Sequence, residues 1–175
     1  MQEYFTEAFV LDREPIGELD FKISLFTKRR GKLVAKVKSA RKILSKLSGH
    51  LLPGNMADVR LVERNGLQVV DALKTGTAPS AVADLRRLSA LLHEDEADPH
   101  LWKQLQGGAF DWHEVLAILG WDPTHAVCAI CGHSHPDAFH IRGQEFFCRQ
   151  CALNVLEKEL LYIDHAAFKS LGNQA

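Results

Sequence analysis

The chain has 175 residues, 46% of them hydrophobic and 25% charged, the balance of an ordinary globular domain or of two small ones. No apolar run approaches the roughly 20 residues that cross a bilayer, and Met1-Gln2-Glu3-Tyr4 lacks the basic and then apolar make-up of a secretory leader. A cytoplasmic location is therefore expected, with no membrane partner. The net charge of −1 conceals a division: residues 1–75 carry +5 and residues 76–175 carry −6, which points to two modules with different partners.

Residues 5–11 and 21–26 are rich in apolar and β-favouring types and predict two strands. Over 32–38, Leu33, Ala35 and Val37 alternate with Lys32, Val34, Lys36 and Lys38. This period of two turns an apolar face inward and a basic face outward. Ile43, Leu44, Leu47 and Leu51 then recur at helical spacing, and Pro53-Gly54 stops the pattern. Residues 59–64 and 67–73 flank Asn65-Gly66, a strong hairpin signal. A two-residue turn there sets Arg60 opposite Asp71 and Val62 opposite Val69. Three strands, a short helix and two strands suit a small Greek-key barrel of the OB type over residues 1–75.

The remainder, residues 76–175, reads as helices, with Thr75-Gly76-Thr77-Ala78 as the linker. Pro79 marks a start, and Ala81, Leu85, Leu88 and Leu92 line one face. Asp98-Pro99 opens a helix carrying Leu101, Trp102 and Leu105, which Gly107-Gly108 ends. Asp111 caps another that Gly120 closes. A last amphipathic helix is expected over 152–171, burying Leu153, Leu156, Leu160 and either Ile163 or Phe168. The fold class is α+β: an N-terminal OB-fold β-barrel, then a small α-helical domain with a four-cysteine zinc site.

No acidic residue lies between Asp20 and Asp58, while ten cations do. Such crowding is self-repelling unless a polyanion is near. Lys28, Arg29, Arg30, Lys32, Lys36, Lys38, Arg41, Lys42 and Lys46 are the expected DNA-backbone contacts. Phe21 and Phe26 are assigned to the core, so base stacking is expected to be a minor contribution.

The four cysteines form two pairs, Cys128-x2-Cys131 and Cys148-x2-Cys151, with sixteen residues between them. Each pair aims two sulfurs at one metal, and the loop folds back to deliver the second pair. One structural zinc ion is expected. Four thiolates fill the coordination sphere, whereas a catalytic zinc keeps a position open for water. The deaminase pattern, a P-C-x-x-C joined to an upstream H-x-E, fails here because Val127 precedes Cys128 and His113 runs directly into Glu114. No nucleophile with its base and no phosphate loop stands out, so the chain is not expected to be an enzyme or to take a small-molecule substrate.

Ala8-Phe9-Val10-Leu11, Gly17-Glu18-Leu19-Asp20, Leu25-Phe26-Thr27, Gly31-Lys32, and Ser45-Lys46-Leu47 before Leu51-Leu52-Pro53 resemble the N-terminal domain of RecO, the bacterial recombination mediator. Leu119-Gly120, then Cys128-x2-Cys131-Gly132 and Gly143…Cys148-x2-Cys151-Ala152, are similar to that family's zinc region. The resemblance implies binding of single- and double-stranded DNA, annealing of complementary strands, and assistance in recombinase loading in DNA repair and homologous recombination of the RecF type. It implies RecR and single-strand-binding protein as partners, and residence at the nucleoid. The helical part is short for the family, so DNA binding carries over better than partner binding. The other readings open on sequence are a zinc-stabilised adaptor whose acidic half docks a protein, and an RNA-binding OB protein.

Overall fold

A computed structural model describes residues 2–41, 45–107 and 110–163. The chain divides into two compact units, Met1–Ala109 and Phe110–Ala175. None of the helices among the described residues is long and apolar enough to cross a membrane.

The first unit is built on a closed barrel with strand order β1-β2-β3-β5-β4. Its strands are β1 (Gln2–Ile16), β2 (Asp20–Thr27), β3 (Gly31–Val37), β4 (Asn55–Glu63) and β5 (Leu67–Thr77). The neighbouring strands pair antiparallel except β3 and β5, which meet in parallel at Lys36 and Gln68. Ala8, Val10, Ile23, Leu25, Leu33, Ala35, Val37, Ala57, Val59, Leu61 and Val69 fill the interior. The expected alternation on β3 is present: Leu33, Ala35 and Val37 are buried, and Lys32, Val34 and Lys36 lie outward. The inserted helix, α1 (Lys46–His50), is short and starts later than its apolar spacing suggested. Arg41 lies in the turn before it, and Lys42, Ile43 and Leu44 fall outside the described residues.

The β4–β5 hairpin departs from the expected register. Arg60 faces Asp71, but Leu61, not Val62, faces Val69, and Val62 faces Gln68. The loop is Arg64-Asn65-Gly66, closed by the Arg64 amide donating to the Gly66 carbonyl at 3.1 Å, so Glu63 pairs with Leu67. The ladder shifts between Arg60 and Leu61, an extra residue on β5 that restores the register beyond it. The correction makes sense of burial: Leu61 and Val69 are both inward, whereas the two-residue turn pairs Val69 with half-buried Val62.

The first unit extends beyond residue 75, where the sequence placed a boundary, because two helices pack outside the barrel. These are α2 (Val82–Leu91) and α3 (Pro99–Gln106). The Asp98 carboxylate accepts from the amides of His100 and Leu101, as its capping position predicts. Phe9 and Phe26 face each other across β1 and β2. The Trp102 ring covers them, its centroid 4.9 Å from Phe9 and 6.2 Å from Phe26. Both phenylalanines are buried, outside the barrel rather than within it. The unbroken apolar run 8–11 is thus a strand buried on both faces.

The second unit opens with α4 (Trp112–Ile118), capped by the Asp111 carboxylate accepting from His113 and ended by Gly120 at φ 95°. A three-stranded sheet follows, ordered β7-β6-β8, from β6 (Ala138–His140), β7 (Glu145–Phe147) and β8 (Leu160–Tyr162), with α5 (Arg149–Ala152) after β7. The expected final helix over 152–171 is therefore wrong within the described residues. Leu160 and Leu161 are buried on a strand beside β6, while Leu153 and Leu156 are 80% and 61% exposed. Phe168 and the rest of that segment lie outside the described residues.

Candidate nucleic-acid interface and metal centre

The sulfurs of Cys128, Cys131, Cys148 and Cys151 all lie within 4.8 Å of one another. The Cys131 and Cys148 sulfurs are 3.7 Å apart, which fits the edge of a thiolate tetrahedron around zinc, about 3.8 Å for bonds of about 2.3 Å. Local folding explains how the pairs meet. The Gly132 amide donates to the Cys128 carbonyl at 2.9 Å and the Cys128 amide to the His133 carbonyl at 2.9 Å. Gly132 takes φ 70°, a left-handed turn that favours glycine. The Ala129 amide bonds the Phe146 carbonyl on β7 at 2.8 Å, tying the first knuckle to the strand that leads into Cys148. Cys148 then stands at the N-cap of α5, which carries Cys151.

The electrostatics favour a cation. Burial raises the Cys128 thiol, but backbone amides of Cys131, Cys148 and Ile130 outweigh it and bring the group down to about 6. Cys151 is pushed up to about 12, first by its hydrogen bond with Cys148 and then by burial. One thiolate is accommodated by the backbone; four at this spacing need a dication. None of the nearby histidines joins the sulfur cluster, and His140 is turned to Glu159, 3.4 Å away.

The basic segment folds differently from a bare cationic face. Carboxylates absent from the segment arrive from neighbouring elements. Lys28 pairs with Glu7 at 2.6 Å, Lys36 with Asp20 at 2.8 Å and Lys22 with Glu14 at 3.4 Å. Arg30 pairs with Asp95 and lies 5.0 Å over the Tyr4 ring. Lys32 Nζ donates to the carbonyls of Ser89 at 2.7 Å and Leu92 at 3.1 Å, at the end of α2. Arg41 donates to the Gly17 carbonyl at 3.0 Å. Arg29, Lys38 and Lys46 are exposed and have no ion pair among the described residues. Lys42 is outside them.

Lys36 and Lys38 instead join two arginines that the sequence reading passed over. With Arg60 and Arg64 they line a groove of about 650 Å³, which also holds Gln68 and one carboxylate, Glu3. Arg64 projects from the β4–β5 turn and has no ion pair among the described residues. The hairpin that brings these arginines beside β3 was readable, but barrel closure, which sets β5 between β4 and β3, was not encoded in any local run of charge.

Fold and site define an OB-barrel protein with a four-cysteine cluster in a second compact unit. Residues 1–77 match the family described as Recombination protein O N terminal. Two relatives, the DNA repair protein RecO of Bifidobacterium longum strain DJO10A and that of strain NCC 2705, are each 26% identical over an alignment of 178 residues, covering 85% of this chain and 74% of theirs. The chain is related to RecO, as the resemblance in its sequence implied.

Proposed function

We propose that this chain is a non-enzymatic DNA-binding protein of repair and homologous recombination, one that binds and anneals single strands and assists recombinase loading. The groove of Lys36, Lys38, Arg60 and Arg64 carries the reading. Lys36 keeps its pair with Asp20 and Arg60 its pair with Glu3, while Lys38 and Arg64 have no ion pair among the described residues. This surplus of positive charge attracts phosphates, and the counterions released on binding supply the free energy without reference to sequence. The similarity to proteins named for DNA repair agrees. The four thiolates hold one zinc ion, which ties the knuckles to α5 and leaves no open coordination position. RecR and single-strand-binding protein are the protein partners this kinship implies, with the cytoplasm and its nucleoid as the location.

The test uses Lys38→Glu with Arg64→Glu, because neither side chain has an ion pair among the described residues. Affinity for single-stranded DNA should fall at least tenfold at moderate salt while circular dichroism and metal content stay constant. The logarithmic salt slope of the parent on single strands should be roughly −3 for four phosphate contacts. Unchanged affinity, or a slope near zero, rejects the groove as the DNA site.

A further inference from the structure

Helices α2 and α3 leave only part of the barrel's outer surface free. Trp102 covers Phe9 and Phe26 on β1 and β2, and Lys32 on β3 is bound to the end of α2. The first half of β1, with β4 and β5, keeps an open face. Across it, Phe5 pairs with Arg60 and Arg60 with Asp71. Phe5 is 70% exposed and Leu73 61%, and the Arg60 guanidinium lies 6.0 Å from the Phe5 ring centroid. A groove of about 500 Å³ runs here, lined by Phe5, Lys28, Arg29, Arg60 and Leu73 among others. Arg60 also borders the groove of Lys38 and Arg64, so the two grooves meet at this arginine.

A phenylalanine this open contributes nothing to the core. Its ring offers a π-face in a groove lined by Lys28, Arg29 and Arg60, the combination that takes a nucleobase and its flanking phosphates. A duplex keeps its bases within its own stack, so only a single strand has one to give. The carboxylates of the face are largely answered. Glu7 is held by Lys28 at 2.6 Å, Glu3 lies 3.9 Å from Arg60, and Asp71 faces Arg60 across the ladder. That leaves Asp58 without such a partner, and Arg29 as the cation of the groove without an ion pair, among the described residues.

We propose that Phe5 is a base-stacking residue, and that single-stranded DNA crosses the barrel over the β1–β4–β5 face, from Lys28 and Arg29 past Phe5 and Arg60 to Lys38 and Arg64. The inference rests on the DNA-binding reading above and adds a strand preference to it. It is tested with the full chain and a single-stranded oligonucleotide carrying 2-aminopurine, whose fluorescence is quenched by stacking, alongside a duplex of the same length. The parent should quench the probe on binding. Phe5→Ala should weaken single-strand binding about tenfold, the equivalent of about 1.4 kcal/mol, and lose the quench, with duplex affinity unchanged. Phe5→Trp should restore both. Equal losses on single strands and duplex, or full affinity and quenching in Phe5→Ala, overturn the stacking role and leave the DNA-binding reading standing. A parent that binds no DNA overturns both.

Discussion

Lys32 shows how a cation can be claimed by its own fold. Its ammonium donates to two carbonyls at the end of α2, where the unpaired carbonyls and the helix dipole favour positive charge. Lys32→Glu should lower stability by about 2 kcal/mol, read as a fall in thermal midpoint, whereas Lys38→Glu should leave the midpoint in place. Equal midpoints for the two variants would remove Lys32 from the helix end. The neighbouring Gly31 is more constrained still. It takes φ 65°, and a Cβ there would lie 1.7 Å from the Glu96 carbonyl oxygen, so Gly31→Ala must displace the segment that packs on β3. Asp20 gives a pH dependence. The Lys36 side chain, and then the Ser39 amide, hold its carboxyl below the ordinary value. A depressed carboxylate stabilises the fold above its unfolded pKa, and the contribution is lost as pH falls through the folded one. Asp20→Asn should therefore flatten the acid limb of the stability profile below about pH 4. An unchanged limb would show that the Lys36 pair adds nothing.

Strand β8 and helix α5 replace one long helix, and burial gives a direct test. Leu160 is buried and Leu153 is 80% exposed. Leu160→Ala should cost about 2–4 kcal/mol in the second unit, and Leu153→Asp less than about 0.5 kcal/mol. A helix with Leu153 on its buried side reverses that order. The sequence misled here because Leu153, Leu156 and Leu160 have helical spacing, and three-residue strands are too short to show a period of their own. Where elements were long, as in the alternation of Leu33, Ala35 and Val37, the strand and its faces were legible. So were the Asp98 and Asp111 caps, whose side chains act on the next turn alone. The clustering of the four cysteines was legible because all four sulfurs sit in two tight local turns. The hairpin was legible at Asn65-Gly66 but not in register, since the extra residue of β5 leaves no compositional mark. The proposed nucleic-acid face was half legible. Charge density found Lys36 and Lys38, but which cations stay unpaired depends on carboxylates that only barrel closure brings near. Arg60, Arg64 and exposed Phe5 come together through the same closure.

Each compact unit holds its own apolar cluster: Ala8 to Ala72 within the barrel, and Cys128, Ala138, Phe147, Cys148, Ala152 and Leu160 around the cysteines. Two of the four cysteines, Cys128 and Cys148, are themselves core residues of that second cluster, so a metal held by the four sulfurs would form together with the core. Thiolate ligation of zinc contributes on the order of 10 kcal/mol in small zinc-binding peptides, comparable to the whole stability of a domain. A chelator strong enough to strip the ion should therefore unfold residues 110–163. The barrel has no ligand in the centre and needs none of that free energy. Its groove and its exposed phenylalanine lie wholly within the first unit. Hydrogen exchange in chelator should show loss of protection at β6, β7 and β8 with the amides of β1 to β5 unchanged, and affinity for single-stranded DNA should remain within about twofold, since the electrostatic contacts that carry it are intact. Binding that disappears with the metal while the barrel amides stay protected would put the DNA site in the cysteine unit, and the assignment to the barrel would have to be given up.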